Sequence, residues 1–384
     1  MKQNFSGSEF TLGILGGGQL GRMLLQRSID FNITTAVMDP DPSAPCRNLC
    51  DRFVNAPFSD YDAVYQFGKT INLLTVEIEH VNTDALQKLE EEGLAVYPQP
   101  SILKMVQDKG LQKEFYKKHN IPTAPFRLVA SKQELADLKL PFPFMLKLRK
   151  GGYDGKGVMK IKNSNDLENA FADACVVEDC IDFVKEIAVI VSRNNSGVTS
   201  SFPPCEMVFN SEANLVEYLF APANLTDQQV KEAAAIAEDL IQKLKMTGLL
   251  AVELFVTKEG RILVNEIAPR PHNSGHHTIE ANITSQYEQH LRAILDLPPG
   301  DTSAILPSVM VNLLGEKGFT GDAVYEGLED VLQMKGTHIH LYGKKETRPF
   351  RKMGHVTVTA DTIEDAIAKS KQIKNILKVK SAGG

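Results

Sequence analysis

The chain has 384 residues, 43% hydrophobic and 23% charged, with a net charge of −6 and five cysteines. Such a length suggests about two or three domains, and such a composition an ordinary soluble globular protein. The polar stretch Met1–Phe10 lacks the basic-then-apolar order of a secretory signal, no run reaches the ~18 apolar residues of a membrane span, and no basic block marks a nucleic-acid surface.

Leu12–Leu15 is an apolar run ending in Gly16-Gly17-Gly18, which predicts a strand, a tight turn and a helix over Gln19–Ser28. A second strand over Ile33–Met38, ending at Asp39, completes a βαβ unit. A strand over Asn72–Ile78, a helix over Thr83–Glu92 and a short strand over Leu94–Tyr97 follow, so residues 1–107 read as one open, Rossmann-like α/β domain. A helix over Leu111–His119 stops ahead of Ile121-Pro122, because a proline disfavours helical geometry in the residue before it. A strand over Phe144–Arg149, the glycine loop 151–157 and a strand over Val158–Ile161 form a small lid module within 108–184. Thr226 and Gln229 have capping-box spacing, and Val230, Ala233, Ala237, Leu240 and Leu244 line one face of a helix over 226–245. Leu249–Thr257 and Ile262–Ile267 read as a hairpin around Lys258-Glu259-Gly260-Arg261. Past Pro298-Pro299-Gly300, strands over Ser308–Leu313, Thr337–Leu341 and His355–Thr359 precede a closing helix over Ile363–Ile373. The expected division is 1–107, a core over 108–300, and a small C-terminal domain over 301–384.

Cys46, Cys50, Cys175, Cys180 and Cys205 are odd in number and scattered, which fits free thiols in a reducing cytoplasm. Gly16, Gly18 and Gly21 satisfy G-x-G-x-x-G after a strand, with Asp39 ending the next one. That pattern suits a nicotinamide dinucleotide, a purely structural turn, or a phosphate or acid seated on the helix N-terminus.

The hairpin carries a stronger signal. Pairing Thr257 with Ile262 sets 255 opposite 264 and Glu253 opposite Glu266. Two carboxylates side by side in a ladder repel each other. A divalent cation removes that cost, and Mg2+ commonly takes one or two carboxylates together with substrate phosphates. Lys147, inside an apolar strand, needs an anion. Four glycines between Gly151 and Gly157 let backbone N–H groups close around one, without the fixed spacing of a P-loop. The run Arg270-Pro271-His272-Asn273-Ser274-Gly275-His276-His277 suits a polar, anionic substrate; the adjacent histidines are poor zinc partners, and no H-E-x-x-H helix is present. Arg348, Arg351, Lys352 and His355 form a further basic group able to hold a phosphate.

On these residues the chain resembles the ATP-grasp enzymes. Within them it is similar to the ATP-dependent N5-carboxyaminoimidazole ribonucleotide synthetases, through Gly16–Met23, Gly151–Gly157, Asn265–His276 and Arg348–His355. Many ATP-grasp ligases carry Asn two residues after the second metal-binding Glu; here Ala268 stands there, followed by Pro269-Arg270 as in the carboxylating subfamily. The resemblance implies an α/β ATP-grasp fold with an N-terminal sheet domain and a small C-terminal domain. It implies that Lys109 and Lys147 hold ATP phosphates under a lid of Gly152, Tyr153, Asp154, Gly155, Lys156 and Gly157. Glu178 and the backbone of Asp179, Cys180 and Ile181 would bind adenine, Glu186 the ribose, and Asn265 would complete the nucleotide site. Glu253 and Glu266 would ligate Mg2+, for which Mn2+ can substitute. The ribonucleotide would meet Gln19, Glu79, Tyr153, Asp154, Lys156, Arg270, His272, Asn273, Ser274, Arg351 and Lys352. Lys147, Asp154, Lys156 and Arg270 would act closest to the reacting groups, and the family expectation is a cytoplasmic homodimer.

The implied reaction joins bicarbonate to the amine of aminoimidazole ribonucleotide in purine synthesis, with ATP giving ADP and phosphate through carboxyphosphate. Another ATP-grasp ligase, an NAD-dependent oxidoreductase built on the glycine turn, and a non-catalytic nucleotide-binding regulator are the competing readings.

Overall fold

The computed structural model describes residues 5, 10–152, 157–210 and 215–382. The N-terminal part is a parallel sheet: β1 (Thr11–Leu15), β2 (Thr34–Asp39), β3 (Arg52–Asn55), β4 (Leu73–Val76) and β5 (Ala95–Tyr97), in the order β3-β2-β1-β4-β5. Both faces of the sheet centre are covered, so β1 and β4 are buried almost throughout rather than alternately. On one face α1 (Gln19–Asp30) contributes Leu20, Met23, Leu24 and Leu25. On the other, α2 (Tyr61–Gly68) and α3 (Thr83–Glu91) contribute Val64, Phe67, Leu86 and Leu89. The chain order reverses at β1, whose C-terminal end runs into the glycine turn.

Two short helices, α4 (Pro100–Val106) and α5 (Lys109–Lys118), lead to an antiparallel sheet of β6 (Phe126–Val129), β7 (Phe144–Leu148), β8 (Val158–Ile161) and β9 (Cys175–Asp179), ordered β6-β9-β7-β8. A helix, α6 (Lys132–Asp137), closes one face by burying Leu135.

The third sheet is the largest. It takes β10 (Phe183–Arg193), β11 (Thr199–Ser201), β12 (Cys205–Asn210), β13 (Leu215–Ala221), β14 (Gly248–Thr257), β15 (Ile262–Ala268) and β16 (Ser308–Leu314). The same sheet also takes β18 (Thr337–Leu341) and β20 (Lys352–Thr359), while β17 (Gly321–Glu326), β19 (Glu346–Thr347) and β21 (Lys378–Ser381) lie outside it. The order β15-β14-β10-β12-β13-β16-β20-β18, with β11 on β10, makes one continuous sheet across residue 300; β19-β17-β21 form a small separate one. Helix α7 (Asp227–Leu244) lies under the large sheet. Its capping box forms at Thr226 and Gln229, and Ala233, Ala237, Leu240, Ile241 and Leu244 face the strands. Val230 stays only partly buried on that helix. Short α8 (Thr278–Ala281) and α9 (Gln286–Ile294) follow β15, and α9 packs on α1 and β14. Helices α10 (Leu328–Leu332) and α11 (Ile363–Ile376) cover the C-terminal strands through Val331, Ala366 and Ile373.

Candidate active site

Strand alternation decides which residues of the large sheet reach the cleft. Ile187 and Val189 of β10, Val252 and Leu254 of β14, and Val264 and Ile267 of β15 pack on α7. With a period of two, Glu186 and Glu253 point the other way. The ladder sets Glu253 between Ala188 and Glu266. The route to that pairing corrects the expected register. Ile262 pairs with Val256, Leu263 with Phe255 and Val264 with Leu254, one residue away from the pairing read off the sequence. A bulge at Asn265 then restores Glu253 opposite Glu266. A bulge re-aims side chains. Here Val264 and Ile267 stay in the core, while Asn265 and Glu266, both half-buried, lie outside the cluster under the sheet.

The lysines come from the opposite wall. Asp108 caps α5 through the amides of Gly110 and Leu111, and Arg149 grips its carboxylate from Nε and Nη2, both at 2.8 Å. This fixes Lys109, whose ammonium pairs with Glu266. Lys147 donates to Asn265 Oδ1 and pairs with Glu178 Oε2, each at 2.9 Å. Lys113 takes the other oxygen, Glu178 Oε1, at 2.9 Å. Both oxygens of Glu178 are therefore committed to lysines.

Charge follows geometry. Burial pushes Glu253 up, with Glu266 and Glu186 adding to it, whereas the Lys109 ammonium holds Glu266 well below the usual carboxylate range. Glu186 is pushed up to about 7 by burial, against the pull of Lys147. Burial also raises Glu178, but Lys147 and Lys113 together bring it below its ordinary value. Burial pushes Lys113 down, and the like charges of Lys147 and Lys109 add to that against the pull of Glu178.

The loop after β15 meets the N-terminal part. Arg270 pairs with Glu79 at 2.8 Å. His272 contacts Ser274 Oγ through Nδ1 at 2.9 Å and lies 3.6 Å from Glu253 through Nε2. Both polar side-chain atoms of Asn273 are buried without a hydrogen-bond partner among the described residues. Such a group is normally satisfied by something bound. His276 is buried, bonded to Tyr287 Oη at 3.0 Å, with its ring tilted 30° against that of His355 at 4.7 Å. Burial pushes its pKa well down, and the neighbouring cationic side chains add to that. Lys352 acts electrostatically on Glu253, and Arg351 on Asp41 beyond β2. Gln19 opens α1, half-buried. Gly152 and Gly157 flank the lid loop; Tyr153, Asp154, Gly155 and Lys156 lie outside the described residues. Sequence reading missed Lys113, whose signal was the spacing Asp108-Lys109-x-x-x-Lys113 at a helix start.

The glycine turn holds an acid, and the acid is the chain's own. Gly18 and Gly21 donate their amides to Glu77 at 2.7 and 2.6 Å, and Gly17 donates to Asp39 at 2.7 Å. A Cβ on Gly18 would stand 2.6 Å from a Glu77 oxygen, and Gly16 sits at φ +95. The glycines are thus required by the approach of Glu77, which occupies the place a pyrophosphate would need.

All five cysteines are free, and among the described residues no helix is long and apolar enough to cross a membrane. Three family models match: a ribonucleotide synthetase preATP-grasp domain over 10–107, an ATP-grasp domain over 114–287, and a phosphoribosylaminoimidazole carboxylase C-terminal domain over 308–369. The chain is 38% identical to the N5-carboxyaminoimidazole ribonucleotide synthase of Bacillus subtilis, over 90% of each. The crystal structure of the Thermotoga maritima N5-carboxyaminoimidazole ribonucleotide synthetase superposes with a TM-score of 0.91 at 42% identity, covering 97% of this chain and all (100%) of that one. The Aspergillus clavatus N5-carboxyaminoimidazole synthase, in complex with ADP and 5-aminoimidazole ribonucleotide, gives 0.87 at 34% identity, covering 96% and 98%. The chain spans 65% of the length of the longer phosphoribosylaminoimidazole carboxylases of Vigna aconitifolia and Candida albicans that it also matches. These likenesses overturn the oxidoreductase reading, as does the filled glycine turn.

Proposed function

The chain belongs to the N5-carboxyaminoimidazole ribonucleotide synthase family of ATP-grasp proteins, and on that premise we propose that it joins bicarbonate to the amine of aminoimidazole ribonucleotide, with ATP giving ADP and phosphate, in purine synthesis. The observation that carries this reading is the bulge at Asn265. It turns Asn265 and Glu266 toward Lys147 and Lys109, with Glu253 abreast.

Glu253 and Glu266 offer hard oxygen donors whose mutual repulsion a cation relieves, a set that fits Mg2+ better than Zn2+. When bound, the ion would neutralise phosphate charge during phosphoryl transfer. Lys109 and Lys147 would hold the ATP phosphates, as fixed positive charge in a partly dry cleft stabilises developing negative charge. Bicarbonate is a poor electrophile, so the chemistry needs carboxyphosphate, a mixed anhydride that water destroys. The loop 151–157 would close over it. Arg270, His272, Asn273, Ser274, Arg351 and Lys352, with Gln19 and Glu79, would hold the ribonucleotide, and the free amide of Asn273 is a ready contact. With both Glu178 oxygens on lysines, the backbone from Glu178 through Ile181 would bind adenine, Glu186 would hold the nucleotide ribose, Tyr153 and Lys156 would contact both substrates, and Asp154 would orient the amine or take its proton. The division at 107 and 300, a homodimer and a cytoplasmic location belong to the same proposal; the free cysteines support the last.

Labelled bicarbonate tests the reading. With Mg-ATP and aminoimidazole ribonucleotide, label should enter the ribonucleotide as one ADP forms per carboxylate. Label entering only a different amine would assign the chain to another ATP-grasp ligase.

A further inference from the structure

Lys113 closes a hydrogen-bonded ring between the two walls of the cleft. Its ammonium donates to Thr123 Oγ1 at 2.6 Å, and that hydroxyl donates to the carbonyl of Val264 at 2.7 Å. From its other side Lys113 meets Glu178, Glu178 meets Lys147, and Lys147 returns to Asn265. Val264 and Asn265 are neighbours at the bulge of β15, so the ring starts and ends there. It crosses α5, β9 and β7 on the way. Lys113 is 3% exposed, Glu178 4% and Lys147 8%. Three charges in so little water cannot be arbitrary, because a buried charge is costly unless paired.

The sum of the three is one positive charge. With Glu178 alone, Lys147 would be half of a neutral pair and would have little to offer a phosphate. With Lys113 supplying a second cation, the carboxylate is neutralised from behind. We propose that Lys113 is a positioning residue: it offsets Glu178 and locks the bulge, so that Lys147 presents an uncompensated charge to the nucleotide phosphates. The inference rests on the proposed ATP site, but not on the identity of the acceptor.

The test is a charge-balance cycle read by calorimetric binding of Mg-ADP, which needs no acceptor. Lys113→Met should weaken Mg-ADP binding by about tenfold or more, since Lys147 is then paired off. Removing the carboxylate as well, in Lys113→Met/Glu178→Gln, should restore binding to within about threefold of wild type, because a partnerless charge is no longer left behind. In turnover, the KM for ATP should rise in the single variant while the KM for aminoimidazole ribonucleotide stays within about twofold. A purely structural Lys113 gives the opposite result: the double variant binds no better than the single one, or both KM values rise together, and either overturns the inference. If Lys113→Met does not fold, the double variant alone decides, since weak Mg-ADP binding by a folded double variant contradicts the charge account. A wild type that binds no nucleotide sinks the proposed function first, and the role of Lys113 with it.

Discussion

At the glycine turn, the amides of Gly17, Gly18 and Gly21 meet carboxylates of the chain itself, Asp39 and Glu77. In the cleft, Lys109, Lys113 and Lys147 meet Glu266 and Glu178, and a second carboxyl, Glu253, stands beside Glu266 with burial against its ionisation. Both regions have the sequence of an anion site. One has spent its donors internally and serves the fold; the other, on the proposed reading, keeps charge in reserve for a ligand. Donor groups near a helix start are therefore informative only once their internal partners are known.

The largest effect expected from this contrast is in the cleft. Lys147→Met should lower kcat/KM for ATP by about 10²–10³, the usual loss for a fixed charge on a reacting group, without unfolding the chain. A fall below about threefold would mean that its charge is not in reserve. In the turn, the loss should appear in stability. Glu77→Ala strands two amides and should cost about 2–4 kcal/mol in urea unfolding; an unchanged midpoint would show that Glu77 does not hold the turn.

A smaller effect separates the two regions by pH. Glu178 is held below its ordinary value by Lys147 and Lys113, against burial. A carboxyl with a lowered folded pKa stabilises above its unfolded pKa, and that contribution disappears as pH falls toward the folded value. Wild-type stability should therefore drop from about pH 4.5 downward. Glu178→Gln should be less stable at neutral pH but flatter on this acid limb; an equally steep limb would assign the acid loss elsewhere. The smallest effect is a control outside both regions. Thr226→Ala removes the α7 cap and should cost about 1 kcal/mol, with Mg-ADP affinity unchanged; a change in affinity would mean that α7 transmits strain to the sheet above it.

Local pattern made much of this legible. The α7 capping box follows from two residues three apart, whereas the pairing of Glu253 with Glu266, expected from the hairpin loop, is set by the bulge. The register of the outer hairpin did not follow, because nothing in Val264-Asn265-Glu266 marks a bulge until the core claims Val264 and Ile267. Glu77 was illegible as the filler of the turn because it arrives from a strand 56 residues beyond Gly21. Strand β3 and helix α2 were also missed: Arg52–Asn55 is short and polar, and Tyr61–Gly68 buries little beyond Val64 and Phe67. The joining of β13 to β16 depends on contacts far apart in the chain, which no window of sequence contains.

The most direct test of the central claim is ADP release from Mg-ATP and bicarbonate, with and without aminoimidazole ribonucleotide, in wild type and in Glu266→Ala. The account predicts release that requires the ribonucleotide and falls by at least about 10² in the variant. Release indifferent to the ribonucleotide, or a Glu266→Ala variant as active as wild type, would contradict it.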